Sequence, residues 1–454
     1  MNTLPPGPGS PPAVQTVNWL FRPIEFMNAC RRRHGDAFSV KFIGFQTPMV
    51  MVSHPEAIAA LYKGRENGLP PGRTIALEPV MGPRSVLLLE GEEHIARRKL
   101  MLPPFHGERM RAYRPVVEEI VGREIDGWPL NTAFAIHPRM QAVTLEVILR
   151  VVFGVSDQER LARLRTLLAD LLRSSSSPAL QVRVLVARRL GRIGPLQDLR
   201  RLNDEVDELL AAEIAERRAD PKLEGRSDIL SQLVGSRFAD GGAMDDAEIR
   251  DQLMTLLLAG HETTATGLAW TLDLLVRHPA VLERLVAEID AGEQAYVRAV
   301  VSESLRLRPV VPLAGRRLVA PLRVDGHELR AGTDVTPAIW LAHTRADRYP
   351  EPFAFRPERF LDGAPATSSW VPFGGGVRRC IGAAFAEMEM RVALTEILRR
   401  RSLRAASGSA ERVARRNVTF SPAGGTRVIA VTRDRVAASG DRGGTASGAE
   451  RLHR

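Results

Sequence analysis

The sequence predicts a mainly α fold with a small β region, and three observations carry the prediction. Between residues 92 and 275, segment after segment repeats apolar positions at 3.6-residue spacing. Short alternating runs bounded by turn residues flank that block, near residues 38–52 and 318–329. The chain has 454 residues, 44% of them hydrophobic, and only two cysteines. A chain of that length can bury a deep core with an internal pocket, and two cysteines make at most one bridge, so packing must hold it together.

Taken in order, residues 1–18 form a Pro/Gly-rich N-terminal segment, residues 19–433 a single domain, and the Gly/Ser/Arg-rich tail 434–454 a disordered end. Residues 25–33 read as a helix. The runs 38–42 and 48–52, parted by a Gly-containing turn, read as a β-hairpin, and 54–62 as a short helix. Residues 66–89 carry Pro and Gly throughout and read as a long irregular loop. Helices follow over 116–125, 140–152, 160–172, 196–217 and 247–275, then 280–289 and 294–307, the last closed by Pro309. Strands are expected at 318–322 and 324–329, with turns at Asp325-Gly326 and Ala331-Gly332, and one more helix over 383–400.

Composition excludes several classes. No run reaches the ~20 apolar residues of a spanning helix. The opening lacks the basic and apolar regions of a signal peptide, and the scarcity of cysteine fits a reducing, cytoplasmic setting. The formal charge is +10, but lysine stands only at 41, 63, 99 and 222, so arginine carries nearly all of it. Those arginines mostly alternate with acids along helices, as on a solvated face. With no zinc-finger spacing or aromatic-basic motif, no nucleic-acid partner is expected.

The chemistry-bearing segment is 372–382, PFGGGVRRCIG, just ahead of a helix. Cys380 there is either an incidental core cysteine or a thiolate metal ligand. The glycines permit a tight turn and close approach to something flat, and a helix N-terminus favours an anionic sulfur. Arg378 adds a cation suited to a carboxylate. One cysteine cannot build a zinc site, whereas one axial thiolate is what haem iron takes in monooxygenases.

This loop resembles the haem-binding loop of the cytochrome P450 family. The resemblance implies the P450 fold, with a long central helix over the haem. It implies haem b (iron protoporphyrin IX) ligated by Cys380, with Phe373, Gly374, Arg378 and Gly382 in the binding loop. Three further motifs fit the family. Glu303-Ser304-Leu305-Arg306, alone, reads as a helix-surface ion pair; with Pro357-Glu358-Arg359-Phe360 it resembles the buried Glu–Arg–Arg network that supports the haem loop. Ala259-Gly260-His261-Glu262-Thr263-Thr264 lies in the longest helix, where a threonine can bond back to the carbonyl one turn earlier and bend the helix. In the family, Ala259 and Gly260 open a groove over the haem, Thr263 hydrogen-bonds the bound oxygen, and Glu262 relays protons; His261 is a packing or surface residue. His94 and Arg98, one turn apart, match the pair that holds the haem propionates, with Arg316 as a further propionate ligand and Arg97 turned to the surface.

The resemblance thus implies a monooxygenase, and the soluble bacterial type is expected because residues 4–9 resemble the hinge after a membrane anchor with no anchor before it; the segment between 279 and 303 also lacks an insert common in membrane-bound members. It would hydroxylate or epoxidise an apolar small molecule such as a fatty acid, terpene or polyketide, with dioxygen as co-substrate. NAD(P)H would supply electrons indirectly, through ferredoxin reductase and ferredoxin or through a flavodoxin, to a monomer. Arg97, Lys99, Arg379 and Arg391 are expected to border the thiolate-side face and to steer an acidic donor. The competing reading, a non-catalytic haem-thiolate sensor or carrier, needs the cysteine loop but not the Glu262–Thr263 pair.

Overall fold

The computed structural model describes residues 4–45, 47–64, 68, 78–175, 197–363, 368–416 and 418–433. The tail expected to be disordered, and much of the 66–89 loop, lie outside the described residues.

The prolines of the opening start a helix rather than prevent one. Helix α1 (Pro12–Phe21) begins with proline in its first turn, where the missing N–H costs nothing, and it runs across the boundary placed at residue 18. Helix α2 (Pro23–His34) follows. Strands β1 (Ala37–Val40) and β2 (Met49–Val52) form the expected antiparallel hairpin, with Ala37 opposite Val52. Helix α3 (Pro55–Lys63) is capped by His54, whose imidazole accepts from the Glu56 N–H at 3.4 Å.

The helical block comprises α4 (Glu78–Met81), α5 (Gly91–Met101), α6 (Glu108–Asp126), α7 (His137–Val147), α8 (Gln158–Ser175), α9 (Gln197–Ala219) and α10 (Ile229–Gly235). It continues through α11 (Asp246–Arg277), α12 (Pro279–Asp290) and α13 (Ala295–Leu307). Beyond Val147 the expected helix continues as one π-helical turn, Ile148–Val152. The 32-residue α11 is the axis of the molecule, packed against α7, α9, α13 and α15 (Ala383–Arg400). Its residues Leu268 and Leu272 share one core with Ile120 of α6 and Leu394 of α15. At Gly267 an added Cβ would lie 3.1 Å from Met390 Cε, so α11 and α15 cross there at close range.

The β region joins the two ends of the chain. Strands β4 (Arg316–Arg317) and β7 (Asp334–Pro337) complete a sheet of order β1-β2-β7-β4, in which β2 and β7 are parallel and Val50 faces Val335. A small hairpin, β5 (Leu322–Val324) and β6 (His327–Leu329), turns at Asp325-Gly326, both at positive φ as such a turn demands. The strand expected over 318–322 is not formed: Val319 and Ala320 bend, and Pro321 has no N–H to pair. Near the C-terminus, β8 (Arg401–Ala405) and β3 (Ala133–Ala135) flank β11 (Arg427–Thr432), while β9 (Val413–Arg416) pairs with β10 (Thr419–Pro422). The short helix α14 (Ile339–His343) leads from β7 into the long connection that ends at the cysteine loop.

Candidate functional site

The cysteine loop is shaped by glycine where nothing larger fits. Gly374 and Gly376 have φ of 67° and 66°, in the left-handed region. A Cβ on Gly376 would lie 2.4 Å from the Tyr62 carbonyl oxygen, and one on Gly375 would lie 2.3 Å from the Tyr62 ring, so the end of α3 presses directly on the loop. The loop closes on itself through the Cys380 N–H, which donates to the Phe373 carbonyl at 2.9 Å. The Phe373 ring meets Trp370 edge-on, and Trp370 meets Phe360 in the same way. Gly382 caps α15, and its N–H points at the Cys380 sulfur.

The Cys380 side chain is accessible in a recess walled by protein. Burial raises its thiol pKa, against which the Gly382 N–H, Arg379 and Arg98 favour the thiolate. Among the described residues no cluster of three or more His, Cys, Asp or Glu could hold a metal ion. A lone sulfur of this kind suits a metal that arrives with its other ligands already in place, as haem iron does.

Beside the loop stands a cationic cluster. His94 of α5 is buried, and burial, followed by the charges of Arg378, Arg98 and Arg316, lowers its pKa to about 4. The imidazole is therefore neutral. Arg98 donates to the Arg379 carbonyl at 2.5 Å and Arg378 to the Leu89 carbonyl at 2.7 Å. Arg316 donates to the carbonyls of Ala314 and Gly315 at 3.1 and 2.9 Å and lies against the Tyr62 ring. Among the described residues no carboxylate lies within 4.0 Å of any of these three arginines, whereas the neighbouring Arg317 is fully engaged by Asp334 at 2.8 and 3.0 Å. Glu90 acts on Arg378 only through space, and guanidiniums buried or half-buried with no carboxylate in contact are costly, a cost that a ligand bearing carboxylates would relieve. The haem propionates fit.

Helix α11 supplies the facing wall. It runs unbroken through residues 259–264, and the Thr263 hydroxyl bonds back to the Ala259 carbonyl at 2.6 Å. The groove expected there is thus no break in the helix. Along this otherwise buried element Leu256, Gly260 and Thr263 are half-buried and Ala259 is exposed, one helical stripe facing open space. Glu262 points off that stripe, towards α7 and β10. Its carboxylate accepts from Gln141 at 2.6 Å and lies 3.6 Å from His137, with Thr266 and Ser421 at 3.4 and 3.5 Å. Burial raises its pKa. His261 is a packing residue, as expected: it is buried against Thr144 at 2.9 Å and held neutral, its pKa lowered to about 4 by burial.

The model of the family described as cytochrome P450 matches residues 5–423. The chain belongs to the cytochrome P450 family. It is 44% identical to cytochrome P450 135B1 of Mycobacterium tuberculosis over 441 residues, 95% of this chain and 92% of that one. It is 37% identical to cytochrome P450 135A1 of the same species, over 96% and 97% of the two chains. Among solved structures it resembles retinoic acid-bound cyanobacterial CYP120A1, with a TM-score of 0.80 and 24% identity over 95% of this chain and all (100%) of that one. The cytochrome P450DA haem domain gives a TM-score of 0.81 at 22% identity, covering 96% and 99%. As a P450 the protein is a haem-thiolate monooxygenase that uses dioxygen.

The support network of this P450 has the geometry its motifs imply. Glu303 and Arg306 are both 0% exposed and meet through two bonds of 2.6 and 2.7 Å, with Arg359 3.5 Å from the same carboxylate. His343, which no motif marked, joins this network to the start of the cysteine loop. One ring nitrogen pairs with the Arg306 carbonyl at 3.2 Å, and the other accepts from the Val371 N–H at 2.9 Å. Gln141 and His137 were also missed. The available signal was a row of polar residues, His137, Gln141 and Thr144, at helical spacing along α7.

One expectation is corrected. Arg97 is no surface residue of the thiolate side: it pairs with the buried Glu248 at the start of α11 at 2.7 Å and covers the Phe238 ring. Arg391 is half-buried and bonded to the Glu387 carbonyl, which leaves Lys99 and Arg379 as the exposed members of the expected basic patch.

Proposed function

We propose that this P450 binds haem b through Cys380 and inserts oxygen into an apolar small molecule, a fatty acid, terpene or polyketide, by hydroxylation or epoxidation. The observation that supports the site assignment is the pairing of one accessible thiol with His94, Arg98, Arg316 and Arg378, whose guanidiniums have no carboxylate in contact among the described residues. The bound haem supplies the iron at which dioxygen is reduced. Arg98, Arg316 and Arg378, with the neutral His94 beside them, would hold its two carboxylates. Phe373 shields the sulfur, Gly374 gives the loop its turn, and the Gly382 N–H steadies the thiolate. Ala259 and Gly260 keep the opposite wall low enough for dioxygen and substrate to approach.

Proton handling falls to Glu262 and Thr263. Burial favours the protonated form of Glu262, and Thr266 and Ser421 stand beside it to replace a proton it gives up. The Thr263 hydroxyl, which rests on the Ala259 carbonyl, needs only a side-chain rotation to donate into the pocket. The substrate class rests on a pocket lining taken from residues 66–89, 174–184, 256–263, 310–314 and 420–423, which are mainly aliphatic; residues 176–184 of it lie outside the described residues. Electrons come from NAD(P)H by way of ferredoxin reductase and ferredoxin, or flavodoxin, at the face bearing Lys99 and Arg379, and the enzyme works as a cytoplasmic monomer.

The deciding experiment is the ferrous carbon monoxide spectrum of the wild type and of Cys380→Ser. The strongly red-shifted band is expected for the wild type alone. Its persistence in the variant would show that another residue ligates the iron.

A further inference from the structure

Helix α1 presents two apolar faces, and the protein covers only one. Inward, Gln15 and Trp19 are buried, with the Trp19 ring 5.8 Å from both Phe42 and Phe420. Outward, Val14, Val17, Leu20 and Phe21 are 46%, 54%, 40% and 76% exposed, and Ile43, 54% exposed, is tied to the helix by its N–H, which donates to Thr16 at 2.9 Å. These five are a large share of the exposed large apolar side chains among the described residues, gathered between positions 14 and 43. The helix, PAVQTVNWLF, contains no charged residue, and apart from the half-buried Thr16 and Asn18 its outward side is apolar.

The surroundings are basic. Arg22 and Lys41 are exposed beside the patch, and Arg415 approaches from β9, stacked on Trp19. Neither residues 4–24 nor residues 37–55 include an acid; Glu25, exposed at the start of α2, follows the first segment, and Asp36, paired with Arg31 and Arg345, and Glu56 flank the second. An apolar stripe with aromatic and aliphatic tips, ringed by cations, complements the boundary of an anionic bilayer. At ten residues, about 15 Å, the helix can lie in that boundary but cannot cross it.

We propose that α1 docks the enzyme on anionic lipid surfaces, with Val14, Val17, Leu20, Phe21 and Ile43 entering the interface and Arg22 and Lys41 meeting the headgroups. Docking of this kind would set an enzyme for apolar substrates beside the phase in which they dissolve.

The test uses the haem-loaded full chain, flotation with phosphatidylcholine vesicles and with mixed phosphatidylcholine–phosphatidylglycerol vesicles, and the charge-neutral double variant Val17→Gln/Phe21→Gln. The wild type is expected to float with the mixed vesicles and to partition about tenfold or more better than the variant, since each buried apolar side chain contributes roughly a tenfold factor. Carbon monoxide spectra of the two proteins should be identical. Equal flotation of both would mean that net charge alone binds the vesicles, and would overturn the proposal. So would absence of wild-type flotation, or a lipid-free dimer in sedimentation that the variant abolishes, which would assign the patch to a second copy.

Discussion

Replacing Glu303 with Gln tests how the P450 core carries the cysteine loop. The carboxylate receives Nε and Nη2 of Arg306 at 2.6 and 2.7 Å, the Arg356 N–H at 2.9 Å, and the charge of Arg359 at 3.5 Å. An amide of the same shape keeps one acceptor, turns donors towards donors, and leaves the Arg306 cation uncompensated at 0% exposure. Breaking one side of a buried pair costs about 3–5 kcal/mol. Arg306→Met should cost more, because Arg306 also donates to the carbonyls of His343, Pro352 and Ala354 at 2.8, 2.7 and 3.2 Å. Each carbonyl orphaned in the interior adds about 1–3 kcal/mol. For the same reason a double Glu303→Met/Arg306→Met variant should not regain wild-type stability, although an apolar pair often replaces a buried ion pair without loss. Urea unfolding of the haem-loaded protein, followed by far-ultraviolet circular dichroism and by the haem band, measures all three. Glu303→Gln within about 1 kcal/mol of wild type, or Arg306→Met milder than Glu303→Gln, would refute this account.

Two other outcomes are expected. Lys99→Glu with Arg379→Glu should slow reduction by ferredoxin several-fold at low salt and much less at high salt, with haem content unchanged; rates equal to wild type at low ionic strength would remove this face as the docking site. Glu389 of α15 is buried without a partner for one carboxyl oxygen among the described residues, and burial lifts its pKa from 4.5 to about 8. The native state therefore holds a proton that the unfolded chain releases, so this contribution to stability is complete below pH 4.5 and lost as the pH rises towards 8. Glu389→Gln removes that dependence, and relative to wild type it should gain about 3 kcal/mol between pH 5 and pH 7.5. Parallel unfolding curves across that range would show that Glu389 is not held neutral.

Much of the architecture was legible because it rests on local rules. The helix over 383–400 was bounded to the residue, since Gly382 precedes it and its apolar pattern is regular. Cys380, Glu303, Arg306 and Arg359 were legible as motifs, and the distances among Glu303, Arg306 and Arg359 are those of the network their motifs imply. What escaped reading depends on partners remote in sequence. Nothing near Arg97 shows that Glu248 and Phe238 await it about 150 residues away. Strands such as Arg401–Ala405 and Val413–Arg416, rich in arginine, become strands only because β11 and β10 offer them edges. His343 gained its place from two backbone groups, Arg306 and Val371, that only the folded chain brings together.

The parallel pairing of β2 with β7 also sets a timetable for synthesis. Residues Met49–Val52 leave the ribosome some 285 residues ahead of Asp334–Pro337, the strand that covers their free edge. At 5–20 residues per second that interval is roughly 15 to 60 s. Throughout it, MVMV, which is buried at every position in the finished fold, waits as an open strand with only β1 beside it. Such an edge is a template for pairing with another nascent chain. Yield during expression should therefore respond to chaperone supply and to slowed growth, and a polar substitution at Met49 should ease aggregation of nascent chains at some cost to the finished enzyme.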